Sequence, residues 1–119
     1  MPWEYRPLGR SLGWLRLVVE SPSIDVLSGP DNLTVSRQGG PILCEDGEAD
    51  TQFLRGLTRD GRIVDFAALL LNNREWAGAT YSPDGRTLFV NIQGDTRLGE
   101  PGNLGYSFAI WGPWKAGAL

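Results

Sequence analysis

The chain has 119 residues, of which 41% are hydrophobic and 21% charged, and this composition excludes the core-poor, highly charged class of disordered proteins. Its net charge of −3, without clustered Lys and Arg, lacks the basic surface of nucleic-acid-binding proteins, so no nucleic-acid partner is expected. No apolar run approaches the roughly 18 residues of a membrane-spanning helix, and the N-terminus lacks a charged-then-apolar signal pattern. Neither a membrane partner nor an export signal is predicted.

Glycine and proline occur throughout the chain. The 16 Gly and 8 Pro leave little room for long helices and favour short strands joined by turns. The predicted fold class is therefore all-β.

Cys44 is the single cysteine of the chain and cannot form an internal disulfide. Its apolar neighbours indicate that it is a small buried hydrophobe and not a nucleophile.

An internal repeat organises the chain. Segments 32–44 and 78–90 share a pattern in which Ser36 superposes on Ser82 and Gly39 on Gly85, an offset of 46 residues. One four-stranded propeller blade per repeat typically spans about 40 to 50 residues. Each copy has a short apolar strand, a turn and a returning strand, the pattern of a β-hairpin.

The strand pattern predicts a partial β-propeller in a single domain, with about two to three four-stranded antiparallel blades and an incomplete final blade. Residues 1–21 supply the outer two strands of one blade, residues 31–66 a complete blade, and residues 76–114 three strands of the last blade. The expected innermost strands are 32–36 and 77–81. Residues 67–73 are rich in helix formers and predict a helical turn, and residues 94–105 predict a long exposed loop.

Several segments taken in order carry a family resemblance: residues 29–33, 43–47, 53–58, 82–93 and 108–114. Together they resemble the C-terminal part of PhoX-type alkaline phosphatases, and the ordered set ending at Trp114 is the specific part of the resemblance. The resemblance implies a segment of a metal-dependent phosphatase that hydrolyses phosphate monoesters, with Ca²⁺ and Fe³⁺ as cofactors. It also implies a bacterial source, a periplasmic or secreted full-length protein, and inactivity of this segment without the missing N-terminal blades.

Candidate metal ligands follow from the geometry of a propeller. The loop that enters each innermost strand and the loop that joins the second and third strands share one face, where carboxylates from different blades converge. Carboxylates suit hard cations such as Ca²⁺ or oxidised iron, and a chain without histidine offers no His-based zinc site. The predicted ligands are Asp31 and Glu75 in the entering loops and Glu45 and Asp46 in a joining loop, with Asn91 and Gln93 as further polar candidates; the catalytic residues are unknown.

Two sets of alternatives stay open at this stage. Asp31, Glu45 and Asp46 also suit ordinary turns, in which a carboxylate caps nearby backbone amides without a metal. For the protein as a whole, the alternatives are a non-catalytic propeller segment that serves as scaffold or interaction surface, and a lactonase-like calcium-binding propeller.

Overall fold

The computed structural model describes residues 1–71, 74–94 and 104–114, and within these residues the chain forms nine β-strands. In chain order they are β1 (Trp3–Pro7), β2 (Gly13–Leu17), β3 (Pro30–Val35), β4 (Pro41–Glu45), β5 (Phe53–Leu57), β6 (Ile63–Ala68), β7 (Trp76–Tyr81), β8 (Thr87–Ile92) and β9 (Tyr106–Trp111).

The strands form three antiparallel sheets. Their orders are β1-β2, β3-β4-β5-β6 and β7-β8-β9, and no sheet closes into a barrel. The prediction of an all-β partial propeller with sheets of two, four and three strands is therefore confirmed. Within each sheet, strands that are consecutive in the chain pair antiparallel with each other.

Equivalent turns recur one repeat apart, as the sequence pattern predicts. In the β3–β4 turn the Gly39 amide donates to the Ser36 carbonyl, and in the β7–β8 turn the Gly85 amide donates to the Ser82 carbonyl. Both glycines have positive φ, 92° and 68°, a conformation that most other residues adopt only with strain. The serine hydroxyls complete the turns by accepting hydrogen bonds from the backbone amides of Gly40 and Thr87.

The hydrophobic core lies between the second and third sheets. Ile42, Leu54, Leu88 and Val90 are fully buried there, because β4, β5 and β8 lie inside their sheets and place alternate side chains in the interface. β3 and β7, the first strands of the two sheets, lie close to each other.

Trp114 fills part of the same interface. Its ring stacks on Phe66 of β6 and meets Tyr81 of β7 edge to face, with centroids 5.9 and 6.0 Å away. Its indole N–H donates to the Arg86 carbonyl. The side chain therefore joins an outer strand of one sheet to the first strand of the next.

The predicted helical turn at 67–73 is wrong for its described part. Ala67 and Ala68 continue β6, and the next amide, Leu69 N, donates to the Gln52 carbonyl at 2.9 Å. Pairing with β5 thus satisfies the backbone groups that a helix would otherwise use, and it overrides the local helix propensity. Asn72 and Asn73, and positions 95–103 of the predicted loop, lie outside the described residues.

Among the described residues, no helix has the length and apolarity needed to cross a bilayer.

Candidate metal centre

Three strand ends meet at the end of the sheets opposite the Ser36 and Ser82 turns. β3 and β7 begin there, and β4 ends there. Backbone hydrogen bonds hold the adjoining loops: Asp46 N donates to Gly29 O at 3.2 Å, and Gln93 N donates to Glu75 O at 3.1 Å. The register of β3 on β4 shifts between Pro30 and Asn32, so Asp31 occupies a β-bulge.

These ends bring three of the four predicted ligands together. Asp31, Asp46 and Glu75 each present a carboxylate oxygen, and the three oxygens lie within 4.8 Å of one another. Asp31 and Asp46 are exposed and Glu75 is half-buried. We call these three residues the acidic cluster.

Glu75 is the member of the acidic cluster that is most strongly perturbed. Burial raises its pKa to about 7, and a hydrogen bond with the Asp46 side chain and the negative charges of Asp46 and Asp31 act in the same direction. Its Oε2 is shielded from solvent and has no hydrogen-bond partner among the residues that the structure describes. The carboxyls therefore repel one another, and this oxygen lacks the partner that a buried polar atom normally has.

A hard cation fits this donor set. Carboxylate oxygens are the ligands that Ca²⁺ prefers, and a bound cation would offset the mutual repulsion of the three carboxylates. Among the described residues, Asp31, Asp46 and Glu75 are thus a group that could hold a hard cation.

Glu45 lies elsewhere, although it is adjacent to Asp46 in the sequence. Its side chain is completely buried and accepts hydrogen bonds from Ser28 N, Phe53 N and Arg55 Nε at 2.9, 2.8 and 2.8 Å. Both carboxylate oxygens are used in these contacts, so the structure does not bring Glu45 into the acidic cluster. Sequence reasoning missed its pairing with Arg55; the available signal was an arginine inside an otherwise apolar strand.

The other polar candidates form local bonds. Asn91 accepts a hydrogen bond from the Ser107 hydroxyl and donates to the Ala77 carbonyl, while the Gln93 backbone anchors Glu75.

Cys44 is buried close to the acidic cluster. Burial raises the pKa of its thiol, and the charges of Asp31 and Glu75 raise it further. A thiol in this setting stays protonated, in keeping with its interpretation as a small hydrophobe.

The fold and the site together define a β-propeller protein in which carboxylates gather where β3 and β7 begin and β4 ends. A family model described as alkaline phosphatase PhoX matches residues 16–95, and the chain belongs to this family. The matched span contains the whole acidic cluster. No curated protein and no solved structure matches the chain.

Proposed function

We propose that this chain forms part of a metal-dependent phosphatase that hydrolyses phosphate monoesters, and that the acidic cluster holds its cations. The observation that carries this proposal is the convergence of Asp31, Asp46 and Glu75, from two sheets, within the span that matches the phosphatase family. The family supports phosphatase chemistry, and the donor set supports Ca²⁺ and Fe³⁺ as the ions.

The acidic cluster acts by binding and orientation. Asp31, Asp46 and Glu75 would hold the cations, whose positive charge would neutralise the phosphate group and stabilise the charge that develops as the ester bond breaks. Asp31 and Asp46 contribute negative oxygens at the exposed rim, where a phosphate monoester has access. Glu75 contributes the most shielded oxygen, and its side chain must be unprotonated to act as a ligand.

Additional propeller blades are the proposed protein partners. Large apolar side chains are exposed on the described sheets, including Trp3 at 54%, Leu15 at 65% and Trp111 at 75%. Neighbouring blades would cover such surfaces and complete the ligand set, so we expect no turnover from these 119 residues alone. The proposed setting is a bacterial periplasmic or secreted protein, because the family resemblance implies one.

The test measures metal content and phosphatase activity together. The chain joined to further blades is assayed for p-nitrophenyl phosphate hydrolysis with Ca²⁺ and Fe³⁺, alongside Asp31→Ala, Glu75→Ala and the control Asp84→Ala. Asp84 lies in the β7–β8 turn, where its carboxylate accepts hydrogen bonds from the Ser82 hydroxyl and Arg86 N. We expect the first two variants to lose bound metal and turnover together, whereas the control keeps both.

Three contrary results would count against this proposal, and two of them would favour another function. Normal metal content and turnover in both cluster variants would refute the assignment of the acidic cluster. Metal binding without hydrolysis of any phosphate monoester would favour a non-catalytic scaffold, and hydrolysis of lactones would favour a lactonase-like propeller.

A further inference from the structure

A buried ion pair, Glu45 with Arg55, involves the residue that immediately precedes Asp46 of the acidic cluster. Glu45 and Arg55 have side-chain exposures of 0% and 6%, and Arg55 Nε lies 2.8 Å from Glu45 Oε1. Glu45 is the last residue of β4, and Arg55 is the middle residue of β5. Neither residue belongs to the acidic cluster, so cation binding by the cluster does not by itself account for a buried ion pair at this position.

Glu45 holds two separate chain segments in place. Its Oε1 accepts the Ser28 amide, which lies in the segment before β3, and its Oε2 accepts the Phe53 amide at the start of β5. One carboxylate therefore fixes both the approach to Asp31 and the far end of the loop that begins with Asp46.

Arg55 extends the network in two further directions. Its Nη2 donates to the Asp25 carbonyl at 3.0 Å, and its Nη1 is ion-paired with Asp65 of β6. The guanidinium also lies over the Phe53 ring, 4.0 Å from its centroid. Arg55 thus links the segment before β3 to strands β5 and β6.

The anchored segments are those that carry the cluster residues. Glu45 pairs with Pro30 in the register of β3 and β4, and each of these residues immediately precedes a cluster aspartate. Gly29, between Ser28 and Pro30, packs so closely that a Cβ there would lie 2.7 Å from the Asp46 carbonyl oxygen. A shift of the Ser28 segment would therefore move both Asp31 and Asp46.

Stability alone is a weak explanation for such a pair. A buried ion pair commonly contributes no more to stability than hydrophobic residues of similar volume, because desolvation offsets the attraction. Groups that orient metal ligands, in contrast, often change metal affinity by about 10- to 100-fold when they are replaced.

We propose that the Glu45–Arg55 pair is a positioning device that holds Asp31 and Asp46 at cation-binding separation. The metal-binding part of this inference rests on the proposed function, while the positioning of the two segments is a property of the metal-free chain. Neither residue touches the cation or the substrate.

Replacing Arg55 by Met distinguishes positioning from simple electrostatics, because the two explanations predict opposite changes in Ca²⁺ affinity. Loss of a positive charge near a cation site would, by electrostatics alone, tighten Ca²⁺ binding. Loss of positioning would weaken it. We expect Arg55→Met, in the chain joined to further blades, to bind Ca²⁺ at least about 10-fold less tightly by calorimetry.

Amide hydrogen exchange in the metal-free chain supplies a second readout. The Ser28 amide donates to Glu45 Oε1 and the Asp46 amide donates to the Gly29 carbonyl, and the pair is proposed to protect both hydrogen bonds. We expect both amides to exchange at least about 10-fold faster in Arg55→Met, with a smaller change in Arg55→Lys, which keeps the charge. The matched control is Arg62→Met, which removes an exposed arginine paired with Asp60 and should leave both readouts unchanged.

The outcomes are distinguishable. Unchanged or tighter Ca²⁺ binding, or unchanged exchange, in folded Arg55→Met would overturn the positioning role. If that variant does not fold, Arg55→Lys decides in the same way, because unaltered affinity and exchange there overturn it too. If the parent chain joined to further blades binds no Ca²⁺ while exchange accelerates as expected, the proposed metal site fails and the positioning of the segments stands.

Discussion

Replacing Glu75 by Gln tests the acidic cluster most directly, because it keeps the size of the side chain and removes one of three neighbouring negative charges. Two unit charges 4.8 Å apart repel by about 0.9 kcal/mol in bulk water. The exposure of Asp31 and Asp46 makes the aqueous value the appropriate one. Since Glu75 faces two such charges, we expect the metal-free variant to gain roughly 1 to 2 kcal/mol in free energy of unfolding at about pH 8.

The gain should depend on pH. The pKa of Glu75 is raised from 4.5 to about 7, so between these values the folded chain binds more protons than the unfolded chain. The free energy of unfolding of the parent therefore falls as pH rises through this window, and Glu75→Gln lacks this contribution. The difference between the two proteins should be small near about pH 5 and largest near about pH 8.

Urea unfolding followed by tryptophan fluorescence, with EDTA present, measures the stability, and calorimetric titration with Ca²⁺ measures the affinity. We expect the variant to gain stability and to bind Ca²⁺ about 10-fold or more weakly, since it has lost a charged ligand. Glu20→Gln makes the same chemical change at an exposed residue outside the acidic cluster and should alter neither quantity. A less stable Glu75→Gln with unaltered Ca²⁺ binding would refute the reasoning.

Two further pairs of substitutions, each with its control, test the core and the loop that carries the acidic cluster. Leu54→Ala removes a side chain that is 0% exposed and should cost about 2 to 5 kcal/mol in urea unfolding, whereas Leu70→Ala, at an 85% exposed position, should cost under about 0.5 kcal/mol. Gly29 and Gly61 both have positive φ, but only at Gly29 would a Cβ meet backbone, 2.7 Å from Asp46 O. Gly61→Ala should cost about 1 to 2 kcal/mol of stability, and Gly29→Ala should cost more and also weaken Ca²⁺ binding; equal stability losses with unchanged binding would contradict this account.

Much of the fold could be predicted because the chain repeats its turn chemistry. Ser36 with Gly39 and Ser82 with Gly85 set two equivalent hairpins, and alternating apolar residues define the strands between such turns. The prediction of a helical turn after Phe66 was wrong because it rested on local helix propensity alone. The pairing of β6 with β5, a contact between distant residues, decides the structure of that segment.

The candidate site was predictable at the level of strand ends and not at the level of side-chain direction. Asp31, Asp46 and Glu75 occur where strands begin or end, so a propeller places them near one another. Glu45 and Asp46 look equivalent in the sequence, and only the pairing of Glu45 with Pro30 and Arg55 separates a buried carboxylate from an exposed one. A bulge such as the one at Asp31 is also invisible without the partner strand.

The position of Trp114 has a consequence for the packing of the second sheet on the third. The first strands β3 and β7 lie close together, whereas the stacked rings of Phe66 and Trp114 occupy space nearer β6. The indole therefore acts as a spacer between the two sheets, and a smaller side chain at position 114 would leave a gap beside Phe66 that the sheets could close only by moving towards each other.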